Sequence, residues 1–259
     1  MKLGILGATG WLGQALGLRL IGQGLWPEGD LIVANRSGKR DSYAAHTGVI
    51  WADVAGLCAA SDVIVIAVRP EDFPLAGFDG KGKLVVSFMT VWTHAKLARL
   101  MPDARIVRAM PNGGATLGRS YTPWVAADIS ATDANLVATI LGAMGEQDRV
   151  ADEGQLNYLA ALSGSGSAYP ALMAQAMLVD AKTRGLPDAI AVKAVEAVIC
   201  GSAEFLQGRM GELGDILDLY RAYKGITAAG LDAAEVGLTA AIKDALTAAT
   251  AKASALDRD

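Results

Sequence analysis

The sequence predicts a doubly wound α/β domain over residues 1–152, followed by an all-α domain over residues 153–259. Three observations carry this reading. Short apolar runs recur through the first part with helical stretches between them. A glycine-rich turn follows the first of these runs. Past the polar stretch Ala151-Asp152-Glu153-Gly154, the runs give way to long Ala/Leu/Met-rich segments.

The runs, in order, are Leu3–Leu6, Leu31–Ala34, Val63–Val68, Leu84–Ser87, Ile106–Ala109 and Trp124–Ala127. Short Val- and Ile-rich runs without polar alternation are the pattern of parallel strands, whose crossover helices cover both faces of the sheet. Right-handed crossovers then give a doubly wound domain. In the second part, segments near 154–162, 166–185, 187–207 and 233–255 read as helices, with no convincing strand among them. Thirty glycines against eight prolines fit tight turns and close helix contacts rather than a low-complexity linker.

Composition narrows the function classes. With 259 residues and 52% hydrophobic content the chain can bury a sizeable core. A net charge of −4 argues against a nucleic-acid or anionic-membrane surface. Cys58 and Cys200 cannot form a disulfide framework, and with His46 and His94 the only histidines no metal site is expected. Both cysteines lie in Ala-rich helical contexts and are expected to be buried and inert; both histidines are expected on the surface. No signal core is visible, and the run Val63–Val68 is far short of the roughly 20 residues a membrane-spanning helix needs. The expectation is a cytoplasmic globular protein.

The glycine-rich turn is Gly7-Ala8-Thr9-Gly10-Trp11-Leu12-Gly13. It follows an apolar strand and opens an amphipathic helix to about Gln23, the context in which glycines let a backbone approach a pyrophosphate at a helix N-terminus. The spacing is G-x-x-G-x-x-G rather than G-x-G-x-x-G, and no Lys-Ser/Thr ending makes it a P-loop. The bland reading is a tight turn without a ligand; strand before and helix after favour a Rossmann dinucleotide site. At the end of the next strand, where an NAD-preferring domain carries Asp or Glu, the chain has Asn35-Arg36-Ser37-Gly38-Lys39-Arg40. A guanidinium there can bind a ribose 2′-phosphate that an acid would repel, which points to NADP, with NADPH preferred over NADH. An ordinary solvated basic loop is the competing explanation.

Further motifs complete an ordered set. Ala67-Val68-Arg69-Pro70 closes the run beginning at Val63, and Arg108-Ala109-Met110-Pro111-Asn112 closes the run beginning at Ile106. Ala161-Leu162-Ser163-Gly164-Ser165-Gly166-Ser167-Ala168-Tyr169 opens the helical half, and Gly185-Leu186-Pro187 divides two long helices. In order and spacing these resemble the pyrroline-5-carboxylate reductase family across essentially the whole chain. The resemblance implies an N-terminal Rossmann domain, a C-terminal helical dimerisation domain with interleaved helices, and NAD(P)H reduction of a cyclic imine in proline synthesis. It also implies a homodimer that in many members assembles further. Carried over residue by residue, it puts Gly7, Ala8, Thr9, Gly10, Trp11, Leu12, Asn35, Arg36, Ser37, Ala67, Val68, Arg69 and Pro70 on the cofactor. Asn112, Lys224, Gly225 and Ile226 fall on the substrate, and Thr227 provides the hydroxyl to its ring nitrogen.

The substrate loops depart from the family pattern. Met-Pro-Asn-Thr-Pro is here Met110-Pro111-Asn112-Gly113-Gly114, and Ser-Pro-Gly-Gly-Thr-Thr aligns with Ala222-Tyr223-Lys224-Gly225-Ile226-Thr227. The Thr and one Gly are kept, while the Ser, the Pro and the other Gly are lost. Lys224 is the one basic residue of the altered loop and is a candidate replacement for the lost amide contacts to a carboxylate; an ordinary solvated lysine is the alternative.

The chemistry agrees with an imine. Reducing a carbonyl leaves an alkoxide that needs a proton donor, whereas reducing a protonated imine leaves a neutral amine and mainly needs orientation. Related hydroxyacid dehydrogenases keep a lysine on the first long helix after the linker, but Gly166–Val179 contains no Lys, Arg or His. Tyr220 and Lys224 match the Tyr-x-x-x-Lys pair of short-chain dehydrogenases, but that pair belongs within the single Rossmann domain of its class, so the match is taken as coincidence. Two function classes remain: an active imine reductase, or a homologue that keeps nucleotide and dimer but acts as a binding or regulatory protein.

Overall fold

The computed structural model describes residues 1–36, 38, 41–73 and 77–256. The chain forms two compact units, one comprising Met1–Ser165 with the chain from Ala249 onward, the other Gly166–Ala248.

The first unit is built on an eight-stranded sheet. Its strands are β1 (Leu3–Leu6), β2 (Leu31–Ala34), β3 (Ile50–Trp51), β4 (Val63–Ile66), β5 (Leu84–Ser87), β6 (Arg105–Ala109), β7 (Ser120–Ala126) and β8 (Gly145–Arg149). They lie in the order β3-β2-β1-β4-β5-β6-β7-β8. Strands β1 to β6 are parallel, in register Leu3↔Leu31, Leu3↔Val63 and Val63↔Leu84. The order reverses beside β1, between β2 and β4, and such a switch point opens a crevice at the carboxyl ends of the strands.

Period-2 alternation sorts the strand side chains into two cores. Leu3, Ile5, Val33, Val65, Val86 and Val107 join one cluster. Leu6, Ile32, Ile64, Ile66, Val85 and Ile106 join the other. Helices α1 (Trp11–Gly22) and α4 (Ala131–Gly142) supply the first face through Leu16, Leu20, Val137 and Ile140. Helices α2 (Val54–Ala60) and α3 (His94–Leu100) supply the second through Leu57 and Leu97. Strands covered on both sides have no solvent face, so their sequences carry no polar alternation.

The all-parallel expectation needs correction at the far edge. Strand β7 is antiparallel to β6, and β8 runs parallel to β7. The β6–β7 connection holds only a short 3₁₀ turn, Gly113–Leu117, too little for a crossover helix, so the chain doubles back. Strands β3 and β8 were not anticipated. β3 is two residues long, and β8 (Gly-Glu-Gln-Asp-Arg) is a polar, half-exposed edge with no apolar run to betray it.

Helix α5 (Glu153–Leu159) opens on Asp152, whose carboxylate caps Gln155 N at 2.8 Å. Its Leu156 is buried with Met110 and Val125. The compact first unit therefore extends through α5 to Ser165, past the polar stretch at which the sequence changes composition.

The second unit is helical: α6 (Ala168–Thr183), α7 (Asp188–Glu196), α8 (Ser202–Leu206), α9 (Leu213–Ala222) and the start of α10 (Ile226–Leu256). Pro187 precedes α7 as its cap. Helix α9 lies outside the helices the sequence predicts, because its Asp215 and Asp218 interrupt the Ala/Leu-rich character that marks the others. Helix α10 begins at Ile226, earlier than the segment expected from 233, because Ala228 and Ala229 are strong helix formers that carry the helix through Gly230. Ala191, Val195, Ile216 and Ala228 are buried in the protomer, whereas Leu172, Val179, Ile190, Leu219, Val236 and Leu238 are exposed.

Candidate functional site

The residues expected on the nucleotide come together at the carboxyl edge of β1, β2 and β4. Gly7 N donates to Ala34 O at 2.9 Å, and Ala67 N donates to Leu6 O at 2.8 Å, so the three strand ends meet at the turn. Gly7 has φ +88°, and a Cβ there would stand 2.7 Å from Ala67 O and 2.8 Å from a Val68 methyl. Only glycine satisfies both the dihedral and the space. A Cβ on Gly13 would lie 2.3 Å from Gly7 O, so this glycine lets α1 seat against the turn. The spacing differs from G-x-G-x-x-G, yet two of its demands, a tight left-handed turn and close helix–strand packing, are met.

Helix α1 starts at Trp11 with Gly10 as its cap and no side-chain cap bond. Its first-turn amides have no intrahelical acceptor and lie at the positive end of the helix dipole, which suits a pyrophosphate. Trp11 is 64% exposed at this mouth. At the end of β2, Asn35 O accepts from Gly38 N at 3.2 Å, turning the chain at Arg36. Ser37 lies outside the described residues. Arg69 caps a 3₁₀ turn, Pro70–Asp72, and Asp72 reaches Arg36 with Oδ1 2.5 Å from Nη1. Sequence reasoning missed Asp72; its only signal was an acid two residues past Pro70.

The same edge carries the turn after β6. Asn112 Oδ1 accepts from Gly114 N at 2.9 Å, and its Nδ2 donates to Tyr121 O at 3.5 Å. The side chain expected on the substrate is thus engaged as a turn cap. Next to it, Arg108 is fully buried and ion-paired with Glu153. Its Nη2 donates to Thr90 O at 2.8 Å, while Glu153 Oε1 also accepts from His94 N at 2.8 Å. The pair therefore ties the middle of the loop after β5 to the start of α3. This buried arginine stood inside the Arg108–Asn112 motif but had no pattern that marked it.

In the second unit, Lys224 and Gly225 form the turn between α9 and α10. Arg221 spans it, with Nη2 2.9 Å from Glu235 Oε2 and Nε 3.6 Å from Asp232 Oδ1. Lys224 has φ +49°, the one non-glycine residue with positive φ among those described. It stands where the family carries a glycine, at a position after a helix where αL geometry is standard for glycine. Thr227 is exposed as the second residue of α10, inside the first turn, which Ala229 N closes by donating to Gly225 O at 3.2 Å.

Burial pushes the Cys58 thiol up, which keeps it protonated and inert. Cys200 is exposed in the protomer, contrary to the expectation of burial, because it lies on an outward face of the π-helical turn Ala197–Gly201. His46 and His94 are half-buried rather than on the open surface: His46 pairs with Glu28 at 2.7 Å, and His94 opens α3. Among the described residues no cluster of three potential metal ligands occurs, and no helix is long and apolar enough to cross a membrane.

Comparison with known proteins bears directly on this arrangement. Residues 153–256 match the family model "Pyrroline-5-carboxylate reductase dimerisation", and residues 2–90 match "NADP oxidoreductase coenzyme F420-dependent". A pyrroline-5-carboxylate reductase of Synechocystis sp. is 31% identical over 100% of this chain and 99% of its own length. The chain belongs to the pyrroline-5-carboxylate reductase family. Another family member, from Arabidopsis thaliana, is 26% identical over 99% of this chain and 96% of its own. The solved pyrroline-5-carboxylate reductase of Coxiella burnetii superposes with a TM-score of 0.85 at 26% identity, covering 98% of both chains. The Plasmodium falciparum pyrroline carboxylate reductase, solved with NADP bound, shares the fold at TM-score 0.84 and 24% identity, covering 99% of this chain and 98% of its own.

Proposed function

We propose that this chain is an NADPH-dependent imine reductase that reduces pyrroline-5-carboxylate, or a closely related cyclic imino acid, and works as a homodimer through its C-terminal helices. The observation that carries the reading is the glycine cradle at β1, with an arginine rather than an acid at the end of β2, in a chain related end to end to reductases of this name. The cradle fits a dinucleotide, since its close approaches leave no space for side chains at Gly7 and Gly13.

In this reading the α1 amides hold the pyrophosphate and Arg36 holds the ribose 2′-phosphate. When bound, the nicotinamide supplies the hydride. Residues Ala67–Pro70 line the crevice beside it, and the Lys224–Thr227 turn receives the imine. The Ile226 and Thr227 amides at the start of α10 face a carboxylate, the Thr227 hydroxyl meets the ring nitrogen, and Lys224 adds a positive charge. A protonated imine becomes a neutral amine on reduction, so orientation does most of what a proton donor does for a ketone. This agrees with α6, which has no basic residue before Asp180.

Loss of NADPH absorbance with pyrroline-5-carboxylate and a panel of cyclic imines tests the proposal. Turnover is expected, faster with NADPH than with NADH, and Arg36→Ala is expected to erase the preference. Nucleotide binding without oxidation against the whole panel would favour the non-catalytic homologue instead.

Exposed apolar surface supports the dimer. Leu172, Val179 and Val236 are 66%, 60% and 81% exposed in the protomer, more than a soluble helical unit keeps in water without a partner. A second copy of the same helices is the occupant that symmetry and the family relationship favour. Light scattering at micromolar concentration is expected to give twice the 26.7 kDa protomer mass or a multiple of it; a monomer refutes this part.

Lys224 supports a prediction with opposite signs. A side chain at positive φ costs roughly 1 kcal/mol relative to glycine, so Lys224→Gly is expected to raise stability by about that amount. If the ammonium binds substrate, the same change raises KM for carboxylate-bearing imines several-fold and leaves those without a carboxylate unaffected. Urea melts and steady-state kinetics on the same variant separate the two effects.

A further inference from the structure

The end of β2 lacks the acid of an NAD-preferring domain, yet the structure brings a carboxylate to that place from elsewhere. Asp72 Oδ1 lies 2.5 Å from Arg36 Nη1. The two partners are unequally held. The Arg36 side chain is 83% exposed, whereas that of Asp72 is 32% exposed. Asp72 ends a compact 3₁₀ turn in which its amide donates to Arg69 O at 3.0 Å. Trp92 Nε1 donates to Pro70 O at 3.4 Å, and Phe73 is buried edge-on against Phe78 and Trp92, with ring centroids 5.1 and 5.2 Å away. The carboxylate is therefore presented by an anchored turn, and the guanidinium swings to it.

We propose that Asp72 is a specificity-determining residue for the nucleotide, a built-in rival of the ribose 2′-phosphate for Arg36. The inference rests on the reading of Arg36 as the phosphate anchor. Binding a 2′-phosphorylated nucleotide brings a second anion to a guanidinium already paired with Asp72. Either the Arg36–Asp72 bond is given up, or phosphate and carboxylate share one cation and repel each other. A nucleotide with a free 2′-hydroxyl meets the opposite situation, because a carboxylate beside the ribose accepts its hydrogen bond as the usual β2 acid does. Asp72 thus lowers affinity for NADPH and sustains affinity for NADH, narrowing the preference that Arg36 creates.

The test is a set of dissociation constants for NADPH and NADH, read from nicotinamide fluorescence, in the full-length wild type, Asp72→Asn, Arg36→Ala and the double variant. Asparagine keeps the shape of the side chain and removes its charge, and a thermal melt of each variant verifies folding. Asp72→Asn is expected to tighten NADPH roughly three- to tenfold at low salt, given an exposed pair plus the relieved repulsion, and to leave NADH unchanged or weaker. The gain should shrink as ionic strength rises, and it should vanish in the Arg36→Ala background. If Arg36→Ala abolishes the NADPH preference while Asp72→Asn leaves NADPH binding unchanged or weaker, the role of Asp72 is overturned and the anchor survives. If Arg36→Ala leaves the preference intact, the anchor fails and the inference fails with it.

Discussion

Glu153→Ala is expected to destabilise the first unit by about 3 kcal/mol, the lower end of the range for removing one partner of a buried ion pair. The guanidinium of Arg108 is fully buried on β6, and the Glu153 carboxylate is its counter-charge. The side chain of Glu153 is 33% exposed, so water reaches the vacated place and keeps the cost from the upper end. Glu153→Gln keeps an acceptor for His94 N and is expected to fall between wild type and alanine. Replacing both partners together, as Arg108→Met with Glu153→Leu, is expected to recover most of the stability, since an apolar pair leaves no buried charge. Urea unfolding of the four proteins checks this. A loss below 1 kcal/mol for Glu153→Ala would show that the pair is not the tie inferred. The same bonds reach Thr90 O and His94 N, so the alanine variant should also bind NADPH more weakly, through a loosened loop after β5.

Thr227→Ala is expected to lower turnover by roughly one to two orders of magnitude while leaving NADPH affinity unchanged. A hydroxyl bonded to a charged ring nitrogen is worth about 1.5–3 kcal/mol in the transition state. Thr227 is exposed at the second position of α10, next to the Lys224–Gly225 turn, and its change leaves the glycine cradle of the other unit untouched. Thr227→Ser retains the oxygen and should restore most activity, which a merely structural loss would not predict as cleanly. Full activity of Thr227→Ala on the best imine found would remove Thr227 from the mechanism. Because the family's amide-rich Ser-Pro-Gly-Gly is absent here, pyrroline-5-carboxylate is expected to be used less well than by a relative that keeps it.

Legibility followed burial. Strands covered on both faces announced themselves as apolar runs, as Leu3–Leu6, Leu31–Ala34 and Leu84–Ser87 show. The polar edge strand β8 did not, because a strand with a solvent side carries no continuous run. In the turn after β1, Gly7 and Gly13 were legible because glycine is a backbone requirement written locally in the chain. Asp72 was not, since its meaning depends on Arg36, which lies beyond the intervening strand β1 and 36 residues away in sequence. The Arg108–Glu153 pair is hidden for the same reason: either residue alone reads as an ordinary surface charge.

The order of apolar runs, the glycine turn and the Ala-rich second half by themselves determined a Rossmann domain followed by a helical one, and with the ordered motifs the family. These are properties of local periodicity and of residues whose backbone demands do not depend on distant neighbours. Only the tertiary structure decided that β7 turns antiparallel, that Asn112 caps its own turn, that Lys224 adopts a left-handed conformation, and which charges face each other. A side chain's charge is visible in sequence, but its partner is chosen by how the strands are ordered in the sheet.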